Sequence, residues 1–168
     1  NRGARLIVMR PSAVWTVGGP KSPGDTIFDP FWARVNEAGV TVVVHAGDSG
    51  YTTHGYARGG GFGLNMEGRH RPSIKSFNIE RAAQDWLTTM SMERMYTRFP
   101  GLRVASVENG SDYLALLLRK LDQQASRTPG WFDENPVELF RQHVWMNPFW
   151  EDDVYELIDL MGPNHVIF

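Results

Sequence analysis

Four short apolar runs, each followed by a stretch of helical period, constrain this chain more than any other feature. They occupy residues 4–10, 40–45, 102–107 and 142–146, and a fifth run opens at Val166-Ile167-Phe168. Strands alternating with helices in this way read as βα units that share a parallel sheet. The first run leads through a loop rich in Gly, Pro and Ser (residues 11–26) to a helix at Asp29-Pro30, where Asp29 reads as the N-cap and Pro30 as the first helical residue. Gly39 suits the position just past the end of that helix. The second run, Thr41-Val42-Val43-Val44-His45, reads as a strand buried on both faces. A long helix is expected over residues 78–98, with Ile79, Ala82, Ala83, Trp86, Leu87, Met90 and Met95 inward. Phe99-Pro100-Gly101 stops it. Further helices are expected over residues 112–124, with a Leu114-Leu117-Leu118-Leu121 stripe, and over 137–141 and 150–161. Eight βα units take about 250 residues, so a chain of 168 holds roughly half of a barrel. A doubly wound open sheet is the alternative, and periodicity does not separate the two.

Composition closes other routes. Cysteine is absent, which excludes disulfides and thiolate metal sites, so a metal would need His, Asp or Glu. A formal net charge of -2 offers no basic field for nucleic acid or an anionic membrane. No apolar run approaches the ~18 residues of a membrane span. A soluble, cytoplasmic protein acting on a small molecule is the expectation. The start at Asn1-Arg2-Gly3 and the end inside an apolar run suggest a single partial domain, residues 1–168, truncated at both ends.

In either architecture, function gathers at the carboxyl ends of parallel strands. The first strand ends on Arg10, the second on His45, the third on Glu108 and the fourth on Met146-Asn147. Polar residues also appear there simply because strand ends leave the core. His45 follows three valines and precedes Ala46-Gly47, which leaves its imidazole open to a ligand; a core histidine bonded to a backbone carbonyl accounts for the same pattern. Glu108 could bind a metal, act as a general base or hold an imidazole, or form a buried ion pair with an arginine such as Arg10. Residues 47–76 read as a long mobile loop at the mouth of the sheet. Within it Asp48 and Ser49 read as turn caps, His54 and His70 as exposed, and Gly59-Gly60-Gly61-Phe62-Gly63 as a flexible lid rather than a phosphate cradle. His143 falls within the fourth run with its direction open, and His165 reads as structural.

The order of several motifs resembles the branch of the amidohydrolase superfamily related to aminocarboxymuconate-semialdehyde decarboxylase. They are Phe28-Asp29-Pro30-Phe31-Trp32-Ala33-Arg34, then Val42-Val43-Val44-His45-Ala46-Gly47, then Arg98-Phe99-Pro100-Gly101-Leu102-Arg103-Val104 and Glu108-Asn109-Gly110. Leu116-Leu117-Leu118-Arg119-Lys120-Leu121-Asp122, Asn147-Pro148-Phe149-Trp150-Glu151-Asp152 and Gly162-Pro163-Asn164-His165-Val166-Ile167-Phe168 complete the series. The resemblance implies a (β/α)8 barrel of TIM type holding a divalent metal, commonly zinc. It implies a His-x-His pair on the first barrel strand, a middle-strand histidine matched by His45, and a late aspartate. The pair would precede Asn1 and the aspartate would follow Phe168, so the isolated chain is expected to be metal-poor and inactive. Decarboxylases of the family carry a histidine where this chain has Glu108.

The expectation is therefore a metal-dependent hydrolase of a small, carboxylated or aromatic substrate. His45 would bind the metal, Glu108 would do acid/base work, and Arg10 would pair with an anionic substrate group. A non-oxidative metal-dependent decarboxylase is the first alternative, and a non-catalytic binding or assembly module the second. A half barrel also leaves apolar strand edges open, which promotes association, so a homo-oligomer is among the expected states.

Overall fold

The computed structural model describes residues 3–47, 50, 55–56 and 74–168. β1 (Leu6–Met9) opens the sheet, and a small antiparallel hairpin, β2 (Val14–Thr16) and β3 (Gly19–Lys21), follows it. α1 (Asp29–Ala38) leads to β4 (Thr41–His45). Then come α2 (Ile74–Phe77), α3 (Arg81–Met92), α4 (Met95–Arg98), β5 (Arg103–Val107), α5 (Leu114–Arg127), α6 (Pro136–His143), β6 (Val144–Met146) and α7 (Val154–Met161). The four long-range strands pair in parallel in the order β1-β4-β5-β6. Val166 bridges Met146 in parallel, and the Ile167 amide donates to the Met146 carbonyl at 2.9 Å, so a fifth strand begins where the apolar run predicts. Chain order and strand order coincide. A doubly wound sheet would reverse its order at a switch point, and this sheet does not.

The core lies on one face of the sheet. Val42, Val44, Val104, Val144 and Met146 pack there against Trp86, Leu87 and Met90 of α3 and the Leu114-Leu117-Leu118-Leu121 stripe of α5, all buried. Alternation puts Thr41, Val43 and His45 on the other face, and these three are only half-buried. The expected burial of β4 on both faces is thus corrected: Val42 and Val44 are wholly buried, whereas Val43 is not. The edge strand β1 leaves Leu6 and Val8 more than half exposed. Among the described residues no helix is long and apolar enough to cross a membrane.

Three local expectations change. Asp29 is the first helical residue rather than a cap, because a 3-10 turn at Thr26–Phe28 precedes α1; Asp25 caps that turn by accepting the Ile27 amide at 3.0 Å. Asp29 pairs instead with Arg98. Gly39 does end α1, with φ 60°. The helix expected over 78–98 is broken at Arg94, which has φ 56°. Its guanidinium pairs with Asp133 and lies 5.9 Å over the Trp131 ring, so partners far along the chain hold the break. Finally, His143 closes α6 instead of entering the strand.

Candidate active site

The site is built by strand register. β4 and β5 pair so that His45 stands beside Val107, which places Glu108 one residue beyond its neighbour at the same sheet end. The His45 Nε2 and a Glu108 carboxylate oxygen are 3.4 Å apart. Both are accessible, His45 at 44% and Glu108 at 61% of its side chain, so the pair faces solvent or a ligand rather than the core. Arg10 follows β1 in the same row of strand ends. Its side chain crosses the backbone of Gly47, where an added Cβ would lie 3.6 Å from Arg10 Cγ. The three expected site residues therefore gather on one end of the sheet.

The His45 ring has a readable orientation. Its Nδ1 lies 3.2 Å from the Ala46 carbonyl oxygen, which only accepts, so the proton belongs on Nδ1. The neutral ring then aims the Nε2 lone pair at the Glu108 carboxylate. In that tautomer a second proton on the ring, a proton on the carboxyl group or a cation would relieve the contact between the two electron-rich atoms. A metal-bound histidine uses the same arrangement, with its other N–H on a carbonyl. An ion held by His45 Nε2 at the usual zinc–nitrogen distance of about 2.0–2.1 Å would lie beside the Glu108 carboxylate. Among the described residues no group of three or more His, Asp or Glu could hold such an ion. The described residues therefore offer one imidazole for a metal, and further ligands would have to come from outside them.

Glu108 itself has φ 56°, a left-handed conformation that side chains rarely adopt. Strain of this kind concentrates at functional positions. Asn109, named in the sequence only within the Glu108-Asn109-Gly110 motif, is wholly buried. At the fourth strand end, Asn147 joins strands instead of facing the site, its amide N–H donating to the Ser106 carbonyl at 2.9 Å and its side chain to the Ile167 carbonyl at 3.2 Å. Burial pushes the Tyr113 hydroxyl, on the core side of β5, far above its ordinary value, which removes it as a base.

Among the described residues the other two histidines, His143 and His165, are structural. His143 Nδ1 lies 2.7 Å from the Leu102 carbonyl oxygen, and its ring stacks on Tyr96. His165 Nδ1 lies 3.0 Å from the Val144 carbonyl oxygen, and its ring stacks on Trp145. In the segment read as a loop, Ile74–Phe77 forms a helical turn. Asp48, Ser49, His54, His70 and the glycine run from Gly59 to Gly63 lie outside the described residues.

Comparison with known proteins shows the family and the fold. The profile of the family described as Amidohydrolase matches residues 2–168. An amidohydrolase from Mycobacterium avium subsp. paratuberculosis K-10 is 36% identical with a TM-score of 0.85, over 99% of this chain and 41% of that one. The 5-carboxyvanillate decarboxylase of Sphingomonas paucimobilis is 16% identical with a TM-score of 0.69, over 97% of this chain and 46% of its own. A dihydroxybenzoic acid decarboxylase from Polaromonas sp. JS666, solved with bound manganese and 2-nitroresorcinol, is 14% identical with a TM-score of 0.62, over 89% and 44%. At those identities the two decarboxylases show a shared fold alone. A search of curated proteins finds no match. The chain spans less than half the length of these three structures, and its fold is roughly half of a TIM-type (β/α)8 barrel.

Proposed function

The chain belongs to the amidohydrolase family, and on that premise we propose that the protein is a metal-dependent hydrolase of a small, carboxylated or aromatic substrate. The observation that supports this most is the His45–Glu108 pair, 3.4 Å apart at adjacent strand ends. His45 gives its Nε2 lone pair to a divalent cation, with Nδ1–H held by the Ala46 carbonyl. Zinc is the proposed ion, because the family resemblance implies it and imidazole suits it; the cytoplasm is the proposed compartment, which the absence of cysteine suits. When bound, such an ion supplies Lewis-acid polarisation and acidifies water.

Glu108 then takes a proton from the attacking water as its oxygen bonds to the substrate's acyl carbon. It returns that proton to the leaving group when the scissile bond breaks. Arg10, whose stem lies against Gly47 at the same end of the sheet, holds an anionic substrate group. A carboxylate at the Glu108 position favours this proton traffic over decarboxylation.

The test uses the full-length protein and its His45→Ala and Glu108→Gln variants. Bound metal should fall in His45→Ala, and unchanged metal content would remove His45 from the site. Glu108→Gln should keep the metal and lose about 10²–10⁴-fold in turnover on aromatic esters or amides. Release of carbon dioxide from the corresponding carboxylic acids, without hydrolysis of the esters or amides, would replace hydrolase by decarboxylase.

A further inference from the structure

The turn Glu108-Asn109-Gly110 holds a buried side chain between two left-handed residues. Glu108 has φ 56° and Gly110 φ 66°, while Asn109 is fully enclosed. A strained backbone persists only where its surroundings over-determine it. Here the Asn109 amide does so. Its two Nδ2 hydrogens serve three acceptors, one of them shared: the Val44 carbonyl at 2.9 Å, the Val107 carbonyl at 3.0 Å and the Ser106 hydroxyl oxygen at 3.1 Å. Both carbonyls only accept, so the amide must present nitrogen to them.

The identity of those carbonyls matters. The Val44 carbonyl belongs to the peptide unit that carries His45, and the Val107 carbonyl to the one that carries Glu108. One amide group therefore ties the two peptide units from which the pair projects. The Ala46 amide donates to the same Val107 carbonyl at 3.1 Å and closes the knot from the other strand. On the far side, Gly110 lets Phe149 close over the turn: an added Cβ would meet its ring at 3.0 Å. Asn109 Oδ1 is buried with no hydrogen-bond partner among the described residues. An orphaned acceptor works against stability, so the amide's contribution lies in where it holds the two carbonyls.

We infer that Asn109 is a positioning residue, whose amide clamps the Val44 and Val107 carbonyls and so sets the spacing of His45 and Glu108. This rests on the reading of His45 as a metal ligand. The test is Co²⁺ binding to metal-stripped, full-length protein, followed through the visible d–d absorption, for wild type, His45→Ala, Asn109→Ala and Asn109→Asp. Folding of each variant is checked by circular dichroism. Loss of a hydrogen bond that orients a ligand typically weakens metal affinity about 10–100-fold. Both Asn109 variants should show a loss of that size with an altered d–d spectrum, and His45→Ala a larger loss. Should Asn109→Ala not fold, Asn109→Ser serves, because one hydroxyl can donate to only one of the two carbonyls. Wild-type affinity and spectrum in the Asn109 variants, with binding lost in His45→Ala, would overturn the inference and leave His45 in place. Wild-type binding in His45→Ala would overturn the ligand reading and the inference with it.

Discussion

Replacing Glu108 by glycine and by alanine separates the strain at this position from the chemistry of its side chain. Both substitutions remove the carboxylate, so both lose whatever its contact with His45 contributes. That contribution cancels in the comparison, and it is at most about 1 kcal/mol for a pair as accessible as this one. The side chain is exposed, so little packing is lost either way. What differs is the backbone. At φ 56° an L-residue carries a penalty of about 1–2 kcal/mol from Cβ against the following carbonyl. Alanine keeps that penalty and glycine removes it. Glycine brings its own cost of about 0.5–1 kcal/mol, because the unfolded chain gains freedom that folding must take away. The net expectation is that Glu108→Gly is more stable than Glu108→Ala by up to about 1.5 kcal/mol. Glu108→Asn should match glycine, since asparagine enters the left-handed region with a smaller penalty. Equilibrium urea unfolding of the three full-length variants measures the order. An alanine variant more stable than the glycine variant by about 0.5–1 kcal/mol, the whole entropic cost of glycine, would show that the backbone at Glu108 carries no strain.

Two further outcomes concern the frame around the site. Gly110→Ala should cost about 2–4 kcal/mol, combining a left-handed Cβ with crowding against the Phe149 ring. Gly130→Ala, with φ 84° and open space around the new Cβ, should cost only the backbone part, and chemical denaturation compares the two. Asp153→Ala removes the cap that accepts the Tyr155 and Glu156 amides at 2.9 and 3.2 Å. It should destabilise α7 by about 1 kcal/mol, seen as faster amide exchange in its first turn.

Much of the sheet was legible because buried parallel strands are continuous apolar runs and their helices carry a clear apolar face. The α5 stripe and the Gly39 end followed from local chemistry alone. The β2–β3 hairpin was hidden by its composition: Gly18-Gly19-Pro20 reads as loop, and both strands have only three residues. The break at Arg94 had no local sign, since its guanidinium is held by Asp133, 39 residues away. In the site, Arg10, His45 and Glu108 could be named because parallel strands deliver side chains to one end of the sheet. Their proximity could not, because it depends on the register that sets His45 beside Val107. Asn109 was hidden for a similar reason. An asparagine before glycine is ordinary turn chemistry, and only the folded chain brings the Val44 carbonyl to within 2.9 Å of its amide.

The claim that His45 is a metal ligand beside a carboxylate base meets its most direct test in the full-length protein, crystallised with zinc and mapped by anomalous scattering. The account predicts a peak about 2.0–2.1 Å from His45 Nε2, with the ring's Nδ1 still facing the Ala46 carbonyl and Glu108 beside it. A peak held entirely by other residues, with the His45 ring bonded only to Glu108, would contradict it.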